Sequence, residues 1–200
     1  MATSNNANPA SGRDMAAMYE SFVTKARALG TEVYRVDDPA AAKQLIEKLI
    51  REAGAKKVAL VPAPLLDALD MEKVVSAARA ELLTAGSVRK RADEADLGIT
   101  TFDLAIAETG TLVQDATALD RRLVSMLPPV HLAVMPLDGL TATFRQAIAN
   151  LAAGEIPGYL AFVSGPSRTA DIERVLTIGV HGPGRLIVVF IDEQEGRGSR

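Results

Sequence analysis

The sequence of 200 residues has no cysteine and no tryptophan, and only two histidines, three tyrosines and five phenylalanines. Without thiols it can form no disulfide, offer no cysteine nucleophile and hold no thiolate-ligated iron–sulfur cluster. With only His131 and His181, a zinc or non-haem iron site would have to lean on carboxylates. No H-x-x-x-H or H-E-x-x-H spacing occurs, so no metal site is expected. The scarcity of aromatics excludes a base-stacking platform, and a net charge of −3 lacks the positive field that nonspecific nucleic-acid binding requires. No apolar run reaches the roughly 18 residues of a membrane span. The start, Met1-Ala2-Thr3-Ser4-Asn5-Asn6-Ala7-Asn8-Pro9, has no charged region followed by an apolar one, so the cytoplasm is the expected compartment. A G-x-S-x-G elbow, a Walker loop and a G-x-G-x-x-G fingerprint are also absent, which leaves hydrolase-triad, P-loop and dinucleotide readings without support.

What is present suits one domain with a full core: 48% of residues are hydrophobic and 24% charged. Residues 1–13 and 193–200 are polar, small or charged and are expected to be disordered, leaving a single domain over 14–192. Met15, Met18, Phe22, Ala26 and Leu29 recur at helical spacing, and Gly30 is a natural stop. A short strand is expected at Val33–Val36. Asp38-Pro39 then reads as N-cap and first helical position, with Ala42, Leu45, Ile46, Leu49 and Ala53 as the buried stripe and Gly54 as the end. Val58-Ala59-Leu60-Val61 is a continuous apolar run of the kind a parallel strand covered on both faces shows.

Further along, a helix is expected over Met71–Ala80, short strands over Asp103–Ala107 and Thr111–Gln114, and a strand over Val130–Met135. Leu140, Phe144, Ala147, Ile148 and Leu151 mark an amphipathic helix. Strands at Leu160–Val163 and Leu186–Ile191 flank a short helix expected from Asp171 to about Leu176. Strands alternating with helices predict an α/β layered fold with a largely parallel sheet. In such sheets ligands sit beyond the carboxyl ends of the strands, and the polar motifs are expected to gather there.

Three polar segments carry the chemistry. Ser164-Gly165-Pro166-Ser167-Arg168-Thr169-Ala170-Asp171-Ile172-Glu173 follows an apolar run and has the make-up of an anion site. Gly165 permits close backbone approach, Ser164 and Ser167 offer hydroxyls, Thr169 can cap a helix, and Arg168 supplies a planar charged fork for carboxylate or phosphate. The alternative is a capped turn with a solvated arginine. In Glu108-Thr109-Gly110-Thr111, Glu108 suits a general base, a nucleophile toward an activated acyl group or a ligand contact. It equally suits hydrogen bonds to loop amides or pairing with Arg121 or Arg122, while Thr109 and Thr111 hold the turn. Arg121 and Arg122, read in a strand-like segment, point to opposite faces, so at most one faces a pocket. His131 begins an apolar strand and reads as structural or as an acid/base. His181, in the loop Gly179-Val180-His181-Gly182-Pro183-Gly184, is the better proton-transfer candidate, against a loop-bracing role.

Taken in order, Ile106-Ala107-Glu108-Thr109-Gly110-Thr111, Arg121-Arg122 through Pro128 to His131, Ser164 to Glu173, and Gly179-Val180-His181-Gly182-Pro183 resemble the signature of the LUD-domain proteins. Within that family the chain most resembles the lactate-utilization protein C branch, over about residues 90–191. The resemblance implies a three-layer α/β/α sandwich with a largely parallel sheet, as in ribose-5-phosphate isomerases, glucosamine-6-phosphate deaminases and CoA transferases. It further implies a part in oxidising L-lactate to pyruvate beside two iron–sulfur partner proteins, so that the electron carrier is elsewhere or is a bound small cofactor. The ligand expected is a small carboxylate or phosphorylated metabolite held by Arg168 and adjacent amides, with Thr109, Gly110, Thr111, Ser164, Gly165, Ser167 and Thr169 as the other anion-binding candidates and Glu108 and His181 as catalytic ones. Arg121, Arg122, His131 and Asp171 are secondary ones. Two other roles fit the same residues. One is an independent CoA-transferase-like or sugar-phosphate-type enzyme using Glu108, and the other is a non-catalytic metabolite-sensing module.

Overall fold

The computed structural model describes residues 12–154, 156–169, 177–179 and 181–192. Its centre is a six-stranded sheet in the order β1 (Glu32–Val36), β12 (Arg185–Ile191), β7 (Val130–Pro136), β4 (Leu97–Thr101), β2 (Lys57–Leu60) and β3 (Glu81–Leu83). Every neighbouring pair in it is parallel. The apolar runs have their cause here: a parallel strand between two covering layers buries both faces. On β12, Ile187, Val189 and Ile191 join one core, and Leu186, Val188 and Phe190 join the other.

The first core is closed by α2 (Pro39–Glu52), α3 (Pro64–Ala68) and α4 (Met71–Ala77). Helix α2 starts where the sequence reading puts it. The Asp38 carboxylate accepts from the Ala41 N–H at 2.8 Å, satisfying one orphan amide of the first turn, and Pro39 fills a position that needs no donor. Its stripe of Ala42, Ile46, Leu49 and Ile50 packs on the sheet.

The opposite face is covered by α1 (Gly12–Ala28), α5 (Ala85–Arg91), α6 (Leu119–Met126) and a second sheet. On α1, Tyr19 and Phe22 both meet the Phe190 ring edge to face, at 5.8 and 5.1 Å between centroids. Such pairs add about 1 kcal/mol each beyond area burial. The second sheet is four-stranded, in the order β8 (Leu140–Thr141), β5 (Leu104–Ile106), β6 (Thr111–Asp115), β9 (Leu160–Val163). Its inner face packs on the main sheet through Ala105 and Leu112. Its outer face, with Ile106 and Val113, is covered by α7 (Phe144–Ala152). The layers are therefore helix, sheet and helix as expected, with the small sheet set into one helical layer.

Several local expectations are corrected. Arg121 and Arg122 lie on helix α6, not on a strand, so they are neighbours on one helical surface rather than on opposite faces. Leu140 is a strand residue, and the helix after it starts only at Phe144, because Thr143 and Gln146 form a capping box there. The helix from Met71 ends at Ala77, and Arg79 turns to positive φ. Arg168–Thr169, where a helix cap was expected, form strand β10, antiparallel to β11 (Thr177–Ile178). The helix expected over Asp171–Leu176 lies outside the described residues, as do residues 1–11 and the tail 193–200. Strand β4, at the middle of the sheet, went unread, since Gly98 and two threonines mask its apolar pattern. Gly98 has a steric cause: a Cβ there would lie 2.2 Å from the Val124 carbonyl oxygen, so only glycine lets the α6 backbone sit on β4.

Candidate functional site

The three polar segments converge on one place, the last turn of α1. Gly110, at φ +65°, lets the β5–β6 turn press on α1, where a Cβ would lie 2.4 Å from the Ala26 nitrogen. Gly165, at φ +96°, leans on the Leu29 carbonyl in the same way, at 2.8 Å for an added Cβ. The two turns are joined by hydroxyls: Thr109 donates to Thr111 at 2.8 Å, and Thr111 Oγ1 and Ser164 Oγ share a bond of 2.8 Å. Ser21, one turn and a half earlier on α1, donates to the Ala107 carbonyl. On the far side the Ser167 N–H donates to the Pro183 carbonyl, and the Gly179 N–H to the Ser167 carbonyl. This brings the loop carrying His181 against the 164–168 turn, and the His181 side chain is exposed.

Arg168 is placed by this assembly. Its Nη2 donates to the Leu29 carbonyl at 2.7 Å, so the guanidinium sits at the carbonyl end of α1. That end carries the negative pole of the helix, and a cation there is stabilising. A bare helix end of this polarity repels anions, and the Arg168 charge reverses the local sign. The guanidinium has five N–H donors, of which Leu29 takes one. Thr169 belongs to β10, and Asp171 lies outside the described residues. The cluster sits at the amino ends of β1 and β12, next to Thr31 and Arg185, rather than beyond the carboxyl ends of the main sheet. The reason is topological. The motifs follow strands of the small sheet, and β9 delivers its turn to where β1 begins.

Glu108 flanks the cluster on the α7 side. Its N–H donates to the Ala142 carbonyl, and its Oε2 accepts from the Phe144 N–H at 3.0 Å. The carboxylate thus occupies the amino end of α7, where it satisfies one of the helix's orphan amides. It also lines an open cleft of about 610 Å³ with Thr143, Phe144, Arg145 and Ile148. Of these residues the sequence marks only Glu108 as a site candidate, with Phe144 and Ile148 read as one face of an amphipathic helix. The Thr143-x-x-Gln146 spacing was the available signal for the helix start that positions the rest.

The secondary candidates are not brought to this place. Arg121 donates to the carbonyls of Asp115 and Thr101 and pairs with Asp103, staking the strand ends of β4 and β6. Arg122 donates to the Ala116 carbonyl and lies over the Tyr159 ring, 5.0 Å from its centroid. His131 is buried between the sheets, with Nε2 2.9 Å from the Thr100 hydroxyl, and that hydroxyl accepts from the Gln114 amide. Burial holds its pKa down at about 4, so the ring is neutral near pH 7. Glu108 does not pair with Arg121 or Arg122; its partner is the α7 amide. Among the described residues no three of His, Asp or Glu are grouped so as to hold a metal ion, and no helix is long and apolar enough to cross a membrane.

Comparison with known proteins agrees with this architecture. The chain is 32% identical over 160 residues to lactate utilization protein C of Halalkalibacterium halodurans, covering 76% of this chain and 70% of that protein. It is 44% identical over 110 residues to lactate utilization protein C 1 of Bacillus mycoides, covering 52% of this chain and 47% of that protein. The chain thus spans about half the length of that second relative. Among solved structures, a DUF162 family protein from Deinococcus radiodurans superposes with a TM-score of 0.61 at 26% identity, over 88% of this chain and 98% of that one. The LUD domain family model matches residues 19–191, and the chain belongs to the LUD domain family.

Proposed function

We propose that this chain serves lactate utilization as a component that binds a small 2-hydroxy or 2-oxo carboxylate and works beside iron–sulfur partner proteins. The observation that carries the reading is the Thr111–Ser164 hydroxyl bond. Two family motifs fifty-three residues apart are tied into one polar surface, and fold stability alone does not demand hydroxyls there. The relatives named lactate utilization protein C supply the pathway. Arg168 supplies positive charge beside that surface, and the Ser164 and Ser167 hydroxyls supply short donors, a combination suited to a carboxylate.

In this reading the chain holds and orients the acid, and electrons leave through partners, since no thiolate in these 200 residues can bind a cluster. Glu108, held as an acceptor by the Phe144 amide, borders the cleft as a charged wall. His181, on the exposed loop beside Ser167, is the candidate for proton transfer. Deleting the gene and growing the cells on L-lactate tests the pathway. Loss of growth restored by the intact gene is expected, and normal growth in a strain without a redundant system overturns it. Lactate-dependent dye reduction by co-expressed iron–sulfur partners, with and without this chain, then tests its place in the turnover.

A further inference from the structure

The small sheet ends in an edge that the described residues leave open. Among the described residues strand β9 pairs only with β6, in the register Val113↔Phe162 and Gln114↔Ala161. The Ala116 N–H donates to the Tyr159 carbonyl, which fixes the phase of the ladder: residues 159, 161 and 163 bond toward β6. The N–H and C=O groups of Leu160 and Phe162 therefore point the other way. Monomeric proteins blunt such edges with a lysine, a proline or a bulge, and Leu160-Ala161-Phe162-Val163 has none of these. Apolar side chains flank the edge on both faces. On the α7 side Phe162 is 42% exposed and lies 5.6 Å from the Phe144 ring, itself 46% exposed, with Ile148 beside it. On the other side Tyr159, 51% exposed, borders an apolar groove of about 340 Å³ formed with Leu119 and Met126 of α6.

We propose that β9 is a dimerisation edge, on which a second copy of this chain adds its own β9 to make one continuous eight-stranded sheet. The strand is its own complement. With a two-fold axis at Ala161, Leu160 lies opposite the second copy's Phe162, and the outward N–H and C=O groups of both residues are satisfied in both copies. Ala161 meets its symmetry mate with the smallest side chain the strand could offer. Tyr159 lies opposite the second copy's Val163, and each Phe162 covers the other copy's Leu160 on the α7 side. The rim fits the same symmetry. Glu108 and Arg145 line one cleft beside Phe144, so the face carries both signs, as an isologous contact between identical copies requires.

Sedimentation velocity on the purified chain over a dilution series tests the proposal. The wild type is expected to sediment as a dimer that dissociates on dilution. Phe162→Lys is expected to be monomeric throughout with an unchanged circular dichroism spectrum, because that side chain is half exposed and its N–H does not bond β6. Hydrogen exchange on the wild type needs no variant: the Leu160 and Phe162 amides should slow at high concentration, while the Ala161 amide, already bonded to β6, changes little. A wild type that is monomeric at every concentration overturns the proposal. So does a dimer that survives Phe162→Lys, or one in which the Leu160 and Phe162 amides exchange as fast as in the monomer.

Discussion

Thr111 Oγ1 and Ser164 Oγ lie 2.8 Å apart and join the β5–β6 turn at the middle of the small sheet to the turn that follows its edge strand β9. Thr141, on the neighbouring strand β8, spends its hydroxyl on the Ala105 carbonyl at 3.0 Å. Each bond is worth about 1 kcal/mol net. Thr111→Val removes the bonds to both Thr109 and Ser164 and Thr141→Val removes one, so in urea titrations the first should lower unfolding free energy by about twice as much as the second. Only Thr111→Val should also impair growth on L-lactate. Equal growth of the two strains would remove the polar cluster from the functional reading.

Arg168 has a capping role and a proposed binding role, and two substitutions separate them. Arg168→Gln removes the cation at the α1 carboxyl end and should lower stability by about 0.3–1 kcal/mol. Arg168→Lys restores the charge and hence most of that stability. It does not restore the planar fork that a carboxylate engages in two bonds. Growth on L-lactate should remain impaired in Arg168→Lys, whose thermal midpoint should be near wild type. Full recovery of growth with lysine would reduce Arg168 to a helix cap.

His131 makes stability fall on mild acidification. Its folded pKa of about 4 lies below the ordinary value of 6.5, so the unfolded chain takes up the proton first. The contribution is fully present above pH 6.5, is lost progressively as pH falls from 6.5 to 4, and stays constant below. A depression of this size corresponds to about 3 kcal/mol. Urea titrations at pH 7 and pH 4.5 measure it. His131→Gln, which cannot titrate, should flatten that part of the profile, although acidic groups paired with arginine, such as Glu32 with Arg185, add losses lower down.

Two glycines of nearly equal φ separate backbone strain from crowding. Gly54, at φ +64°, has nothing within 4 Å of an added Cβ, whereas at Gly110, φ +65°, the Cβ would lie 2.4 Å from the Ala26 nitrogen. Gly54→Ala should cost about 1–2 kcal/mol from the left-handed conformation alone. Gly110→Ala carries that penalty and must also push α1 off the β5–β6 turn. Its thermal midpoint should drop well below that of Gly54→Ala, with Phe22 and Phe190 signals disturbed in NMR spectra.

Elements whose signals are local were legible in the sequence. Asp38-Pro39 marks a helix start by side-chain chemistry, and the unbroken apolar runs of β2 and β12 mark buried parallel strands. Strand β4 was not legible, because the glycine in it answers to α6, which lies some twenty-six residues further on. The same holds for the site. Residue types in the Glu108 and Ser164 segments were readable, and so was their polar character. Their position at the amino ends of β1 and β12 was not, since it follows from a second sheet whose existence depends on pairing distant strands. Arg168 illustrates the gap: its charge is evident in the sequence, but its carbonyl partner lies 139 residues away.

Because Gly110, Gly165 and Arg168 all rest on the last turn of α1, the polar surface has no independent existence. The contacts that build it span 86 residues from Ser21 to Ala107 and 139 from Leu29 to Arg168, so their formation closes long loops of the chain. Hydroxyls and guanidinium become ordered only when α1 is docked. A fluctuation that frays the end of that helix would disassemble the surface while leaving the parallel sheet intact, which makes α1 the element through which local unfolding reaches function.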